Sequence, residues 1–73
     1  MPMKNSMKMH RAICNITQED LAVRVGVTRQ AIIAIEHGKY VPSAVLAMKI
    51  AREFNKPVEE VFSLEETDWK LTL

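Results

Sequence analysis

Two helix-start signals and two glycines between Thr17 and Gly38 constrain the fold of this chain most strongly. The Thr17 hydroxyl suits an N-cap, and Asp20, three residues later, completes a capping box. Gly26 supplies the left-handed backbone conformation that ends a helix. Thr28 is a second N-cap, and Gly38 ends the helix that follows it. The spacing predicts two short helices joined by a tight turn, a helix-turn-helix unit over residues 17–38.

Apolar spacing in this unit indicates which face of each helix is buried. The first helix carries a narrow apolar stripe of Leu21, Ala22 and Val25, and the second directs Ile32 and Ile35 inward. The second helix of such a unit projects from the body of the domain and fits the DNA major groove. Its opposite face carries Arg29, Gln30, Ile33, Ala34 and His37.

That opposite face has side chains suited to reading bases. Arginine forms a bidentate pair with guanine O6/N7 and glutamine with adenine N6/N7, so Arg29 and Gln30 suit this role. Ile33 either contacts a thymine methyl group or is an isolated exposed apolar residue. For Arg29 and Gln30 the alternative is an ordinary solvated helix surface. The predicted base contacts are Arg29, Gln30, Ile33 and Ala34.

Residues 15–62, about two thirds of the chain, resemble the Cro/phage-repressor-type (XRE-like) helix-turn-helix family of small transcriptional regulators. The resembling residues are Thr17–Ala22, Val25–Gln30, Ile32, Ile35–Tyr40, Pro42–Ser43, Leu46–Ala51 and Val61–Phe62. The resemblance implies an all-α, five-helix, lambda-repressor-like DNA-binding domain over residues 1–63. It also implies a buried ion pair between Arg11 and Glu36 that joins the first helix to the third.

The remaining helices are predicted over about residues 4–14, 44–54 and 58–63. On the first of them, one face carries Met7, His10, Arg11 and Cys14. His10 stands where the resembling family more often has leucine. Pro57 stands where that family usually has a serine or threonine cap, although proline is tolerated in a first helical turn.

Phosphate contacts are predicted beside the second helix of the unit. Gln18 stands at the start of a helix, where its side chain or backbone N–H can donate to a phosphate. The alternative is that glutamine is simply a good helix former. Lys39 and Tyr40 follow the second helix and reach toward the DNA backbone, with a plain surface lysine as the alternative. Together with the N-cap, the predicted phosphate contacts are Gln18, Thr28, Lys39 and Tyr40.

A net charge of +1 conceals a strong asymmetry along the chain. Residues 1–56 hold nine Lys/Arg and four Asp/Glu, a balance of +5, whereas residues 57–73 hold one lysine and five acids, a balance of −4. The basic part is expected to face phosphate while the acidic part points elsewhere.

Residues 64–73 form an acidic and apolar tail outside the resemblance. From Trp69 onward it alternates with period two, as a half-buried strand does. Two copies of this strand are predicted to pair about a two-fold axis. The alternatives are a tail folded over its own core and a disordered tail. The predicted dimerisation residues are Phe62, Leu64, Trp69, Leu71 and Leu73.

Several classes of protein are not indicated by the sequence. The single cysteine excludes an internal disulfide framework, and His10 and Cys14 make only half of a zinc site, so neither a metal nor a cofactor is expected. The residues show no nucleophile and base at a recognisable spacing, which argues against an enzyme, and no small-molecule ligand is evident. Without a membrane-span or signal-peptide pattern, the expected location is the cytoplasm, with the nucleoid.

The sequence therefore predicts a homodimeric, sequence-specific regulator of transcription, expected to be a repressor, that binds double-stranded DNA. Its two recognition helices would lie about 34 Å apart, in successive major grooves of a near-palindromic operator. The alternative is the same fold acting as an antitoxin-like or adaptor module whose tail grips another protein.

Overall fold

Five helices and a short two-stranded sheet make up the computed structural model, which describes residues 3–69. The elements in chain order are β1 (Lys4–Asn5), α1 (Met7–Cys14), α2 (Gln18–Val25), α3 (Arg29–Glu36), α4 (Ala44–Glu53), α5 (Val58–Val61) and β2 (Phe62–Ser63), followed by a 3-10 helix, Glu66–Trp69. The predicted five-helix class is confirmed, and the sheet is an addition to it.

The helix starts follow from local hydrogen bonds. The Thr17 hydroxyl accepts from the Asp20 backbone N–H at 2.9 Å, and the Thr17 N–H donates to Asp20 Oδ2 at 3.0 Å, so the capping box is present. The hydroxyl of Thr28 caps α3 in the same way at 3.1 Å, and that of Ser43 caps α4 at 3.1 Å.

The capping box makes the stability of α2 depend on pH. The Thr17 backbone N–H holds the pKa of the Asp20 carboxyl below its usual value, and the Thr17 hydroxyl contributes in the same direction. Because folding lowers this pKa, the ionised box stabilises α2 at pH values above the ordinary aspartate pKa. That stabilisation is lost as the pH falls through the lowered value.

Residues with a left-handed backbone conformation follow the ends of three helices. Asn15 follows α1 with φ 57°, Gly26 follows α2 with φ 78°, and Asn55 follows α4 with φ 56°. Gly26 and Val27 both donate to the Ala22 carbonyl, at 2.9 and 3.0 Å, which closes α2 tightly. The turn between α2 and α3 is therefore only three residues long.

Every helix contributes at least one large, fully buried side chain to a single core. These side chains are Met7 from α1, Leu21 from α2, Ile32 and Ile35 from α3, Ile50 from α4 and Val61 from α5. Burying an aliphatic side chain of this size is worth roughly 1.5–3 kcal/mol. The core thus fixes the position of α3 against α2 and the rest of the domain. No helix within residues 3–69 has the length and apolarity needed to span a membrane.

The prediction that the first helix starts near Lys4 is wrong. Lys4 and Asn5 form a strand that pairs antiparallel with β2, Lys4 opposite Ser63 and Asn5 opposite Phe62. The same pairing ends α5 at Val61, two residues earlier than predicted. Backbone pairing with a strand far away in sequence has replaced the predicted helical structure at both sites.

The residues predicted for dimerisation lie in different environments, and the predicted strand does not include Trp69. Trp69 ends a 3-10 helix and is not in a strand, because Asp68 Oδ2 accepts from the Glu65 N–H at 2.7 Å and closes a local turn. Phe62 is only 7% exposed and packs in the core of its own chain. Leu64 is exposed, whereas Leu71 and Leu73 lie outside the described residues.

The predicted apolar face of α1 is interrupted at its end. Met7 and His10 are buried and Arg11 is half-buried, but Cys14 is exposed. His10 stacks on the Phe54 ring with centroids 5.5 Å apart, and its Nε2 has no hydrogen-bond partner among the described residues.

Replacing His10 with leucine is expected to raise the free energy of unfolding by about 1 kcal/mol, because a buried polar atom without a partner is costly. Chemical denaturation of the parent and the variant measures the change. The exposed His37 provides a matched control, and His37→Leu is expected to change stability by less than about 0.5 kcal/mol. A destabilised His10→Leu protein would show that the imidazole stabilises the core.

Candidate nucleic-acid interface

The geometry of α3 separates a buried face from an outer face. Ile32 and Ile35 are 0% and 1% exposed and fix the helix to the core. Successive helical residues are turned by about 100°, so the residues between these anchors point away from the core. We define the outer face of α3 as Arg29, Gln30, Ile33, Ala34 and His37.

Side chains predicted to contact bases all lie on this outer face. Arg29 and Gln30 occupy the first turn and are exposed, whereas Ile33 and Ala34 lie in the next turn and are half-buried. Among residues 3–69, neither Arg29 nor Gln30 forms a side-chain hydrogen bond or an ion pair. Their polar ends are thus free to meet a ligand.

The residues predicted to contact phosphate surround the outer face. Lys39 and Tyr40 are exposed and directly follow α3, whose end is closed by the Lys39 N–H donating to the Ala34 carbonyl at 2.9 Å. Thr28 is exposed, and its hydroxyl is engaged in capping α3. These three residues therefore lie at the two ends of α3.

Gln18 has an internal partner that the sequence did not reveal. Its Nε2 donates to Glu36 Oε1 at 3.1 Å, and the side chain is half-buried. One amide hydrogen of Gln18 is therefore committed to α3. The two residues are 18 positions apart in sequence, so no local spacing signals this contact.

The Glu36 carboxylate is the centre of a polar network at the end of α3. Arg11 Nε donates to Glu36 Oε2 at 2.6 Å, and Arg11 Nη2 donates to Oε1 at 3.2 Å. The side chain of Glu36 is only 5% exposed and that of Arg11 14%, so water screens this pair little. A third bond joins Arg11 Nη1 to the Ile16 carbonyl at 3.2 Å. Through this network, α1 and α2 both hold the C-terminal end of α3.

An open cleft of about 620 Å³ lies beside the first turn of α3. Its lining includes Arg29 from α3, Arg11 from α1, and Thr17, Gln18 and Glu19 at the start of α2. Arg11 is already paired with Glu36, so Arg29 is the arginine of this cleft that has no ion-pair partner among residues 3–69. Arg29 and the backbone N–H groups of a first helical turn are donors that suit an anion such as a phosphate.

Metal-ligating side chains do not come together within the described part of the chain. No group of three or more His, Cys, Asp or Glu side chains there is placed to hold a metal ion. His10 is buried in the core while Cys14 is exposed, so these two side chains are not equally accessible.

Comparison with known proteins agrees with this geometry. A family model described as Helix-turn-helix (HTH_3) matches residues 7–61. An HTH-type transcriptional regulator of Methanocaldococcus jannaschii is 54% identical over 66 residues, which cover 90% of this chain and 100% of the relative. The HTH-type transcriptional regulator YgzD of Bacillus subtilis is 53% identical over 64 residues, which cover 88% of this chain and 97% of that protein.

A solved structure shares the arrangement of the elements. The restriction-modification controller protein C.AhdI from Aeromonas hydrophila aligns with a TM-score of 0.69 and 26% sequence identity. The alignment covers 74% of this chain and 82% of that one. The chain therefore belongs to the XRE-type helix-turn-helix family of DNA-binding transcriptional regulators.

Proposed function

We propose that the protein is a sequence-specific repressor that binds a near-palindromic operator as a homodimer, with α3 in the major groove. The observation that carries the proposal is the outer face of α3, where Arg29 and Gln30 are exposed while Ile32 and Ile35 are buried behind them. A helix of this width, presenting free donors at its first turn, fits the major groove.

Each residue of the outer face has a specific role in this proposal. Arg29 pairs with guanine O6/N7, and Gln30 pairs with adenine N6/N7. Ile33 and Ala34 contact a thymine methyl group from the second turn of the helix. The test is the ratio of affinities for a selected duplex and a scrambled duplex at one fixed salt concentration. Specific binders typically show a ratio of roughly 10³ or more, and a ratio near 1 would refute sequence-specific binding.

Phosphate contacts supply most of the affinity and its dependence on salt. We assign them to Lys39 and Tyr40 after α3, to Thr28 before it, and to Gln18 through its free amide hydrogen or the first-turn N–H groups of α2. The cleft between Arg11 and Arg29 lies next to Gln18, which supports a phosphate position there.

Replacing Lys39 with alanine is expected to weaken binding to selected and scrambled duplexes by the same factor. The slope of log affinity against log salt should fall in magnitude by about 2 for the dimer, because each protomer releases about one counterion fewer. Lys56 is also exposed and follows α4, so Lys56→Ala provides a charge-matched control with an unchanged slope. If the two variants share one slope, Lys39 is not a phosphate contact.

The homodimer is proposed to form through exposed apolar residues after β2. Leu64 is 54% exposed and Trp69 is 76% exposed, and both belong to the acidic segment. The double substitution Leu64→Ser with Trp69→Ser is expected to halve the mass measured by sedimentation equilibrium. The matched pair Val45→Ser with Met48→Ser changes two equally exposed apolar residues on α4 and should leave the mass unchanged. If the α4 pair halves the mass and the Leu64 and Trp69 pair does not, the dimer contact lies on α4.

The same exposed residues support a second candidate function, an antitoxin-like or adaptor module that binds another protein. Under that hypothesis the protein remains a monomer, and Leu64 and Trp69 contact a different partner. A monomeric parent protein that shows no preference among duplexes would favour this candidate over the repressor.

A further inference from the structure

Polar side chains from three separate elements hold the C-terminal end of α3. Arg11 of α1 and Gln18 of α2 both donate to the Glu36 carboxylate. The third is Asn5 of β1, whose Nδ2 donates to the backbone carbonyl of Ile35 at 2.8 Å. Within residues 3–69, this is the one hydrogen bond between the backbone of α3 and a residue outside segment 28–39.

The two ends of the Asn5 amide have different partners. Oδ1 accepts from the Met7 N–H at 3.2 Å, at the first turn of α1, while Nδ2 donates to Ile35. An N–H group requires an acceptor and a carbonyl requires a donor, so both partners fix the same orientation of the amide. Aspartate has nearly the same shape and keeps the acceptor, but it has no donor for the Ile35 carbonyl.

Asn5 itself belongs to a well-anchored segment. Its strand pairs with β2, where it lies opposite the buried Phe62. Just before the strand, the Met3 N–H donates to Asp68 Oδ2 at 2.9 Å. Just after it, the Ser6 hydroxyl donates to the Glu60 carbonyl at 2.9 Å. The hydrogen bond to Ile35 therefore connects α3 to a part of the domain that is fixed on both sides.

The distance along α3 gives this bond an effect at the other end of the helix. Arg29 lies six residues before Ile35, which is about 9 Å along the helix axis. A tilt of roughly 10° about the C-terminal end would move the first turn by about 1.5 Å. Binding groups need to be held to within about 0.5 Å for productive contacts. Ile32 and Ile35 hold the helix against the core, and the directional hydrogen bond from Asn5 adds a restraint on the angle of the helix.

We propose that Asn5 is a positioning residue for DNA recognition: it fixes the angle of α3 and thereby the placement of Arg29 and Gln30, without touching DNA itself. The proposal rests on the proposed DNA-binding function. It assigns to β1 a role in specificity.

The test compares Asn5→Asp with Ser6→Ala by two measurements, at a temperature where both variants are fully folded. The first is the ratio of affinities for a selected and a scrambled duplex. Asn5→Asp is expected to lower this ratio by roughly tenfold, within the range for one misplaced bidentate base contact. Ser6→Ala removes the neighbouring side-chain bond to α5 and should retain the ratio of the parent.

The second measurement is hydrogen exchange at the end of α3. Amides of His37 and Lys39, which donate to Ile33 and Ala34, are expected to exchange about tenfold faster in Asn5→Asp but not in Ser6→Ala. If Asn5→Asp keeps the affinity ratio of the parent, or if Ser6→Ala loses as much of it, the positioning role is refuted while the proposed function stands. A parent protein that prefers no duplex would refute the proposed function and, with it, this role.

Discussion

Arg11→Ala is expected to lower the free energy of unfolding by roughly 3–5 kcal/mol, because it leaves the Glu36 carboxylate buried without its cationic partner. Glu36 would keep only the hydrogen bond from Gln18, and the Ile16 carbonyl would lose its bond to Arg11 Nη1. A core as small as this one supplies about 3–5 kcal/mol of net stability. Circular dichroism at 25 °C should therefore show a large unfolded fraction.

Two further variants separate burial from charge. Arg24 and Glu53 form an ion pair at 3.6 Å whose side chains are far more exposed, so Arg24→Ala is expected to cost about 1 kcal/mol or less. Replacing both buried partners, Arg11→Met with Glu36→Leu, should recover much of the loss because no unpaired charge remains. Equal costs for Arg11→Ala and Arg24→Ala would mean that the buried pair contributes no more than the exposed one.

Arg29→Ala is expected to weaken binding to the preferred operator by about 1–3 kcal/mol per half-site, which is roughly 5- to 150-fold for each contact. The loss should be larger for specific than for non-specific binding, because a scrambled duplex does not present guanine at the matching position. Preference for guanine at one position of each half-site should disappear. Fluorescence anisotropy with duplexes that carry each of the four base pairs at that position measures both effects.

Charge and base recognition by Arg29 are separated by two matched variants. Arg29→Lys keeps the positive charge but lacks the planar fork, so it should lose the preference for guanine while retaining most of the salt dependence. Arg52 is also exposed but lies on α4, and Arg52→Ala should leave the base preference intact. Unchanged discrimination in Arg29→Ala would exclude this residue from base reading.

Elements defined by local chemistry were predictable from the sequence. Thr17 with Asp20, Thr28 and Ser43 mark helix starts by hydrogen bonds within three residues, and Gly26 ends α2 by its own backbone preference. The division of α3 into a buried and an outer face follows from its 3.6-residue period. The resemblance to the family also implied the pair of Arg11 and Glu36, which the structure contains.

Features that depend on partners far away in sequence were not predictable. Lys4 and Asn5 stand just before α1, but their backbone pairs with Ser63 and Phe62, 59 and 57 positions later in the chain. The bonds from Asn5 to Ile35 and from Gln18 to Glu36 span 30 and 18 positions. At Trp69 a local contact decided the structure. The period-two pattern predicted a strand, but the Asp68 carboxylate accepts a hydrogen bond from the Glu65 N–H and stabilises a tight turn.

Selection of bound duplexes from a random DNA pool, at moderate salt and with purified full-length protein, tests the central claim most directly. We expect an inverted repeat whose half-sites are about one helical turn apart, with a guanine whose enrichment disappears when Arg29→Ala replaces the parent. A folded parent protein that enriches no sequence would contradict the claim that α3 reads bases in the major groove.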